Sequence, residues 1–109
     1  MAQTLKVLGQ AALAATTLTD VYTVPAATTA AISTITVCER SGAATTYRLS
    51  IAVAGAADAT KQYIAYGAAL AANETRTFTL GVSLGAGDVV RAYAAAATVT
   101  VNVFGAENT

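Results

Sequence analysis

The side chains that could do chemistry in this 109-residue chain are one cysteine, six carboxylates and five tyrosines. Histidine is absent, which removes the commonest general base and the commonest transition-metal ligand. Cys38 therefore has neither a histidine to activate it nor a second cysteine for a disulfide within the chain. Activation by Arg40, on the same strand face, is the one alternative, and we interpret Cys38 as a small buried hydrophobe.

The carboxylates lie too far apart in the sequence to suggest a calcium loop or a catalytic pair. They are Asp20, Glu39, Asp58, Glu74, Asp88 and Glu107. Asp58 and Asp88 occur in turn sequences, where we expect them to cap the local backbone. The segment 85–87 lacks the Lys-Ser/Thr and helix of a phosphate loop, so it predicts only a turn. The sequence predicts no enzymatic activity, no metal and no cofactor.

The tyrosines are the residues most typical of a contact surface. Tyrosine supplies contact area with a polar tip and is enriched in the cores of interfaces. Tyr63 and Tyr66 are three residues apart, which predicts that they point to opposite faces of a strand and that at least one is exposed. We predict Tyr63, Tyr66 and Tyr93 as interface residues, with a buried, hydrogen-bonded tyrosine as the alternative.

The elements that position these side chains are strands, because apolar and polar residues alternate with a period of two. Strong alternation covers residues 47–53, 76–82 and 98–104, and weaker strands are predicted at 5–8, 17–24, 31–39, 61–66 and 88–94. The alternation breaks between Ile32 and Ile35, which indicates either a bulge near Ser33 or Thr34 or a strand buried on both faces. The residues predicted to face the core are Leu49, Ile51, Phe78, Leu80, Val99, Val101 and Val103.

About eight short strands separated by turn residues are typical of an antiparallel β-sandwich, jelly-roll or Ig-like. The length fits one domain, which we place at residues 16–109. Residues 1–15 are predicted to be an N-terminal strand or arm: Leu5, Val7 and Leu8 form a strand-like run, followed by small residues at 11–16. They form either the first strand of the sandwich or an arm on a neighbour. We therefore add Leu5, Val7 and Leu8 to the candidate interface.

The charge pattern favours protein partners over nucleic acid. Six basic and six acidic residues give a net charge of zero, and the basic residues are scattered singly, whereas binding to nucleic acid needs clustered cations. A weakly charged surface is a solubility hazard for a free monomer, which fits a surface covered by partners. No run is long and apolar enough for a membrane helix and no signal peptide is readable, so we expect no membrane partner.

Five segments give the chain a resemblance to a known family: residues 4–10 (TLKVLGQ), 15–26 (ATTLTDVYTVPA), 61–64 (KQYI), 72–75 (ANET) and 104–107 (FGAE). Together they resemble small virion structural proteins of tailed bacteriophages, and the likeness spans nearly the whole chain. The resemblance implies a capsid decoration or cement protein, typically a homotrimer bound to the major capsid protein between capsomers. It also implies assembly in the host cytoplasm and a final location on the capsid surface. The alternative is a tail-fibre or baseplate module that recognises a glycan or another virion protein.

Overall fold

Eight β-strands account for most of the chain, which a computed structural model describes over residues 2–109. The strands are β1 (Gln3–Ala12), β2 (Thr19–Thr23), β3 (Thr29–Glu39), β4 (Thr45–Ala52), β5 (Tyr63–Leu70), β6 (Thr75–Leu84), β7 (Val89–Ala94) and β8 (Val99–Asn108). Two short 3-10 turns, Val53–Gly55 and Thr60–Gln62, separate β4 from β5. Each predicted strand corresponds to one of the eight, with boundaries shifted by a few residues.

The strands form two antiparallel sheets that pack face to face. Sheet A has the order β1-β8-β3-β6 and sheet B the order β2-β7-β4-β5. The first strand pairs with the last, the second with the seventh, the third with the sixth and the fourth with the fifth. The chain is thus one long hairpin folded over into a sandwich, which is the connectivity of a jelly roll. The predicted all-β sandwich is confirmed, with jelly-roll strand order.

A β-bulge explains the broken alternation in β3. The register shifts between Ile32 and Thr34 in the pairing of β3 with both β6 and β8. The extra residue restores the phase, so that Ile32 and Ile35 both point into the core and both are buried. Of the two alternatives for this segment, the bulge is the one observed.

The core lies between the sheets and is built mainly from short aliphatic side chains. Leu49, Val99, Val101 and Val103 are fully buried, as their alternation predicts. The other three predicted core residues, Ile51, Phe78 and Leu80, pack against this core but are only partly buried. Val53, in phase with Leu49, is nevertheless 68% exposed, because β4 ends at Ala52 and the chain turns away.

The N-terminal segment is built into the sandwich of its own chain. Strand β1 pairs with β8 from Gln3 to Ala12, and the chain then passes through buried Leu13 to a bridge between Ala15 and Ala94 in sheet B. In this chain residues 2–15 are therefore a first strand and its connection, and they form no detached arm. Met1, which the prediction also included, lies outside the described residues.

Close backbone approach between the sheets depends on a glycine in β1. A methyl group at Gly9 would overlap the carbonyl oxygen of Val21 and lie 3.2 Å from the Cβ of Tyr22. Val21 and Tyr22 belong to β2 in the opposite sheet. Gly9 therefore lets the two edge strands close one side of the sandwich more tightly than any residue with a Cβ could.

Candidate functional site

A cluster of tyrosines surrounds Arg48 on the outer face of sheet B. Tyr47 and Leu49 are buried, so the strand alternation places Arg48 outside. Tyr93 lies directly opposite Arg48 in the pairing of β4 with β7. The guanidinium carbon of Arg48 lies 4.2 Å from the ring centre of Tyr93 and 4.3 Å from that of Tyr66. Both distances are those of cation–π contacts.

Tyr63 and Asp58 extend this cluster. The rings of Tyr63 and Tyr66 meet edge to face, 4.8 Å apart at 88°. The expectation that they point to opposite faces is wrong, because the pairing of β5 with β4 shifts register between Tyr63 and Ala65. The Tyr63 hydroxyl donates to the carboxylate of Asp58, 2.7 Å from Oδ1. This hydrogen bond, followed by burial, raises the pKa of Tyr63.

Three of the six predicted interface residues therefore come together in one place. We call Arg48, Tyr63, Tyr66 and Tyr93 the tyrosine cluster. Tyr66 is 62% exposed, whereas Tyr63 and Tyr93 are partly covered. Asp58, which we expected to cap a turn, instead holds the Tyr63 hydroxyl. The tyrosine cluster thus presents one exposed ring, that of Tyr66, next to the guanidinium of Arg48.

The outer face of sheet A carries no charged residue in its four cross-strand rows, all within the described part of the chain. Residues opposite one another in a sheet share a face, so the register gives the rows directly. The rows are Leu5-Ala106-Ala31-Ser83, Val7-Phe104-Thr34-Thr79, Gln10-Asn102-Thr36-Thr77 and Ala12-Thr100-Cys38-Thr75. We call these sixteen residues the neutral face. They are small or uncharged, with threonine the commonest type.

One corner of the neutral face is apolar and open. Leu5 is 81% exposed and Val7 is 46% exposed. A shallow pocket of about 190 Å³ lies beside Leu5, Ala31 and Ala106. Leu8, which we predicted as part of the same interface, is buried in the core at 9% exposure. Leu8 directly follows Val7 in the strand and therefore points to the opposite, inner face, so that residue is corrected from interface to core.

Cys38 also belongs to the neutral face, in the row of Ala12, Thr100 and Thr75. It is partly exposed, so the expectation of a buried thiol is wrong. The reason is the strand phase, since Val37 and Glu39 on either side point inward and are buried. Cys38 therefore forms part of the outward surface of sheet A.

Glu39 is the one carboxylate buried inside the sandwich within residues 2–109. The Ser41 backbone N–H donates to its Oε1 at 3.0 Å. The Thr98 hydroxyl, and then this Ser41 contact, lower the pKa of the Glu39 carboxyl against the opposing effect of burial. The described residues contain no cluster of three acidic, cysteine or histidine side chains that could hold a metal ion. Glu39 is thus a carboxylate whose Oε1 is held by Ser41, while its buried Oε2 has no hydrogen-bond partner among the described residues.

A cleft of about 510 Å³ lies at one end of the sandwich. Its walls are Ile51, Val53, Ala56, Lys61 and Gln62. Asp88 holds the adjoining turns, because its two oxygens accept the backbone N–H groups of Ala54 and Gly85, each at 2.8 Å. The expectation that Asp88 caps local backbone is confirmed.

No protein-family model, curated protein or solved structure matches the chain. No helix within residues 2–109 is long and apolar enough to cross a membrane.

Arg48 is the residue of these surfaces that the sequence did not single out. The sequence feature that could have found Arg48 is its position between Tyr47 and Leu49, two residues that the alternation places inside the core. A basic residue between two inward apolar residues must lie on the outer face. Its neighbours Tyr66 and Tyr93 come from other strands, so their contact with Arg48 depends on the sheet pairing.

Proposed function

We propose that this chain is a bacteriophage virion structural protein that decorates the capsid and cements it by bridging capsomers. The observation that carries the proposal is the neutral face with its exposed apolar corner at Leu5 and Val7. A protein partner can cover such a face without stripping water from an ion, which is the main cost of burying charged surface. The face suits repeated protein contact rather than chemistry.

The size of the neutral face suits one side of a stable contact. Strands lie about 4.8 Å apart and rise about 3.3 Å per residue, so four strands over eight residues present roughly 500 Å². A standard interface buries about 800 Å² on each partner. Neighbouring loops would supply the remainder. Repetition over many copies then stabilises a shell without any single strong site.

Two further points support the proposal. The sequence segments quoted above resemble small virion structural proteins of tailed phages. The jelly-roll connectivity is also found in viral capsid domains, although that fold serves other functions as well. By the same resemblance we propose a homotrimer whose partners are itself and the major capsid protein.

The test begins with copy number, measured by quantitative mass spectrometry of purified virions that contain the protein. We expect hundreds of copies in each particle, and a handful would indicate a tail component instead. Cosedimentation with undecorated capsids then tests the face. The double variant Leu5→Asp/Val7→Asp should bind at least tenfold more weakly than the wild type.

The matched control adds the same two charges to exposed positions of sheet B, as Thr46→Asp/Ile64→Asp. This control should bind capsids like the wild type. Equal binding by the Leu5/Val7 variant, with its fold intact by circular dichroism, would remove the neutral face from the proposal. Light scattering of the free and bound protein tests the trimer separately.

A further inference from the structure

Arg48 differs from the other arginines in what its guanidinium contacts. Arg91 Nε donates to Asp20 at 2.9 Å, Arg76 pairs with Glu74 at 3.2 Å and Arg40 donates to a backbone carbonyl at 3.2 Å. Within residues 2–109, Arg48 has no carboxylate within ion-pair distance and no backbone carbonyl acceptor. Its contacts are the rings of Tyr66 and Tyr93 and the hydroxyl of Tyr63, whose pKa it tends to lower against the larger effect of Asp58.

The ring contacts do not use the N–H donors of the guanidinium, and among the described side chains only the Tyr63 hydroxyl acts on them. Rings at 4.2 and 4.3 Å cover the guanidinium, whose N–H donors point outward in its own plane. Stacking also restricts a side chain that is otherwise flexible, so less entropy is lost when a ligand binds. The guanidinium of Arg48 is thus held in place by stacking. Its paired N–H donors match the two oxygens of a carboxylate or phosphate.

The carboxylate that belongs to the cluster is already engaged. Both oxygens of Asp58 lie within 2.9 Å of the Tyr63 hydroxyl. Tyr63 in turn contacts the edge or face of Tyr66. These contacts place the exposed ring of Tyr66 between Tyr63 and Arg48, and within residues 2–109 Asp58 forms no ion pair with Arg48.

We infer that Arg48, Tyr66 and Tyr93 form a binding site for a carboxylated saccharide. The guanidinium takes the sugar carboxylate in a bidentate contact, and the exposed Tyr66 ring packs against the apolar face of the sugar ring. An acidic side chain of a protein would use the guanidinium but leave Tyr66 uncovered, and a neutral sugar would use Tyr66 but leave the guanidinium unpaired. The site lies on sheet B, so it is independent of the function proposed for the neutral face of sheet A.

The experiment is a two-dimensional NMR titration of the ¹⁵N-labelled full chain with trigalacturonate. Its fully methyl-esterified form keeps the sugar rings and removes the charges, which makes it the matched ligand control. We expect shifts at the amides of residues 48, 66 and 93 and at Arg48 Nε–H. The methyl ester should bind at least tenfold more weakly than the acid.

Variants separate the two contacts. Arg48→Gln and Tyr66→Ala should each weaken binding of trigalacturonate at least tenfold, and Arg48→Lys should weaken it because the bidentate fork is lost. Arg76→Gln removes one positive charge from sheet A and should leave binding unchanged. If Arg48→Gln does not fold, the inference is still tested by comparing the binding of trigalacturonate and its methyl ester to the wild-type chain.

Several results would overturn the inference. These are equal binding of the acid and its ester, shifts confined to other residues, and no shifts at all. Inorganic phosphate or a glutamate-rich peptide that binds as tightly as trigalacturonate would show a general anion or protein contact instead. None of these results affects the capsid proposal, since cosedimentation of Leu5→Asp/Val7→Asp measures a different face.

Discussion

The hydroxyl of Tyr22 donates a 2.6 Å hydrogen bond to Oε2 of Glu107. Tyr22 belongs to β2 of sheet B and Glu107 to β8 of sheet A, so this bond joins the two sheets. Lys6 of β1 donates to the other oxygen of Glu107 at 3.1 Å. The Tyr22 hydroxyl, and then Lys6, hold the pKa of Glu107 below its ordinary value.

We expect Tyr22→Phe to destabilise the protein by about 1.5–3 kcal/mol, the range for a hydrogen bond to a charged group. The substitution keeps the buried ring and removes only the donor. Urea unfolding at pH 7 measures the change. Tyr63→Phe, which removes an exposed hydroxyl from Asp58, is the control and should have a smaller effect. Equal effects would mean that the link between the sheets adds nothing.

Stability should decline in acid. The pKa values of Glu39, Glu74 and Glu107 are all lowered from 4.5 in the folded protein. For Glu74 the main cause is the backbone N–H of Ala71, which donates to it at 2.8 Å. The fold favours the charged forms, so their contribution is complete above the unfolded pKa and is lost as pH falls through the folded values.

At the other end of the pH range, burial and then Glu107 raise the pKa of Tyr22 well above 10. The fold favours the neutral phenol, so this contribution is complete below pH 10 and is lost as pH rises through the folded pKa. With no histidine in the chain, we expect a flat stability profile between about pH 5 and 8. Urea midpoints across pH 2 to 11 test this, and a steep change near pH 6.5 would contradict it.

Burial ranks the effects of truncating core leucines. Leu49 is fully buried, so Leu49→Ala should cost about 2–5 kcal/mol. Leu80 lies on the edge strand β6 and is only partly covered, so Leu80→Ala should cost no more than about 2 kcal/mol. Chemical denaturation of the two variants side by side gives the order. The reverse order would mean that the assigned core is wrong.

A methyl group at Gly9 should be costly although the residue lies on an edge strand. Gly9→Ala pushes a carbon into the Val21 carbonyl, and we expect a loss of about 1–3 kcal/mol from overpacking. Gly81 lies on the other edge strand of sheet A, where an added carbon would meet nothing within 4 Å. Gly81→Ala is therefore the control and should be nearly neutral in thermal unfolding.

Asp88 should control local motion beside the end cleft. Asp88→Ala removes the acceptor of the Ala54 and Gly85 N–H groups. We expect hydrogen exchange at those two amides to accelerate about tenfold, since each loses a hydrogen bond worth about 1–1.5 kcal/mol. Exchange in the core strand β8 should change less. A uniform acceleration across the chain would show global destabilisation instead.

Local pattern was enough to place the strands and part of the core. The alternation at Val99, Val101 and Val103 depends only on neighbouring residues, and the structure buries all three. The same pattern marked the irregularity between Ile32 and Ile35 but left two explanations for it, and the register shift between Ile32 and Thr34 selects the bulge. Strand pairing was beyond its reach, because a jelly roll pairs strands that are distant in sequence.

The directions of the surface side chains were only partly predictable from the sequence. Leu5 and Val7 lie on one face of β1 and Leu8 on the other, so the same alternation that places the strands exposes the first two and buries the third. Tyr63 and Tyr66 meet because of an irregular pairing of β5 with β4 that no spacing rule anticipates. One-residue shifts of register move a side chain from one face to the other, and they are set by tertiary contacts.

The pairing of β1 with β8 also sets an order of events during synthesis. Only β4 and β5 are both consecutive and paired, so this hairpin is the one piece of sheet that can form early on the ribosome. Every pair in sheet A joins strands that are far apart along the chain, and such distant contacts close slowly. Strand β1 waits with its backbone N–H and C=O groups unpaired until the last ten-residue strand emerges. During that interval the unpaired strand is open to pairing with another copy of the chain.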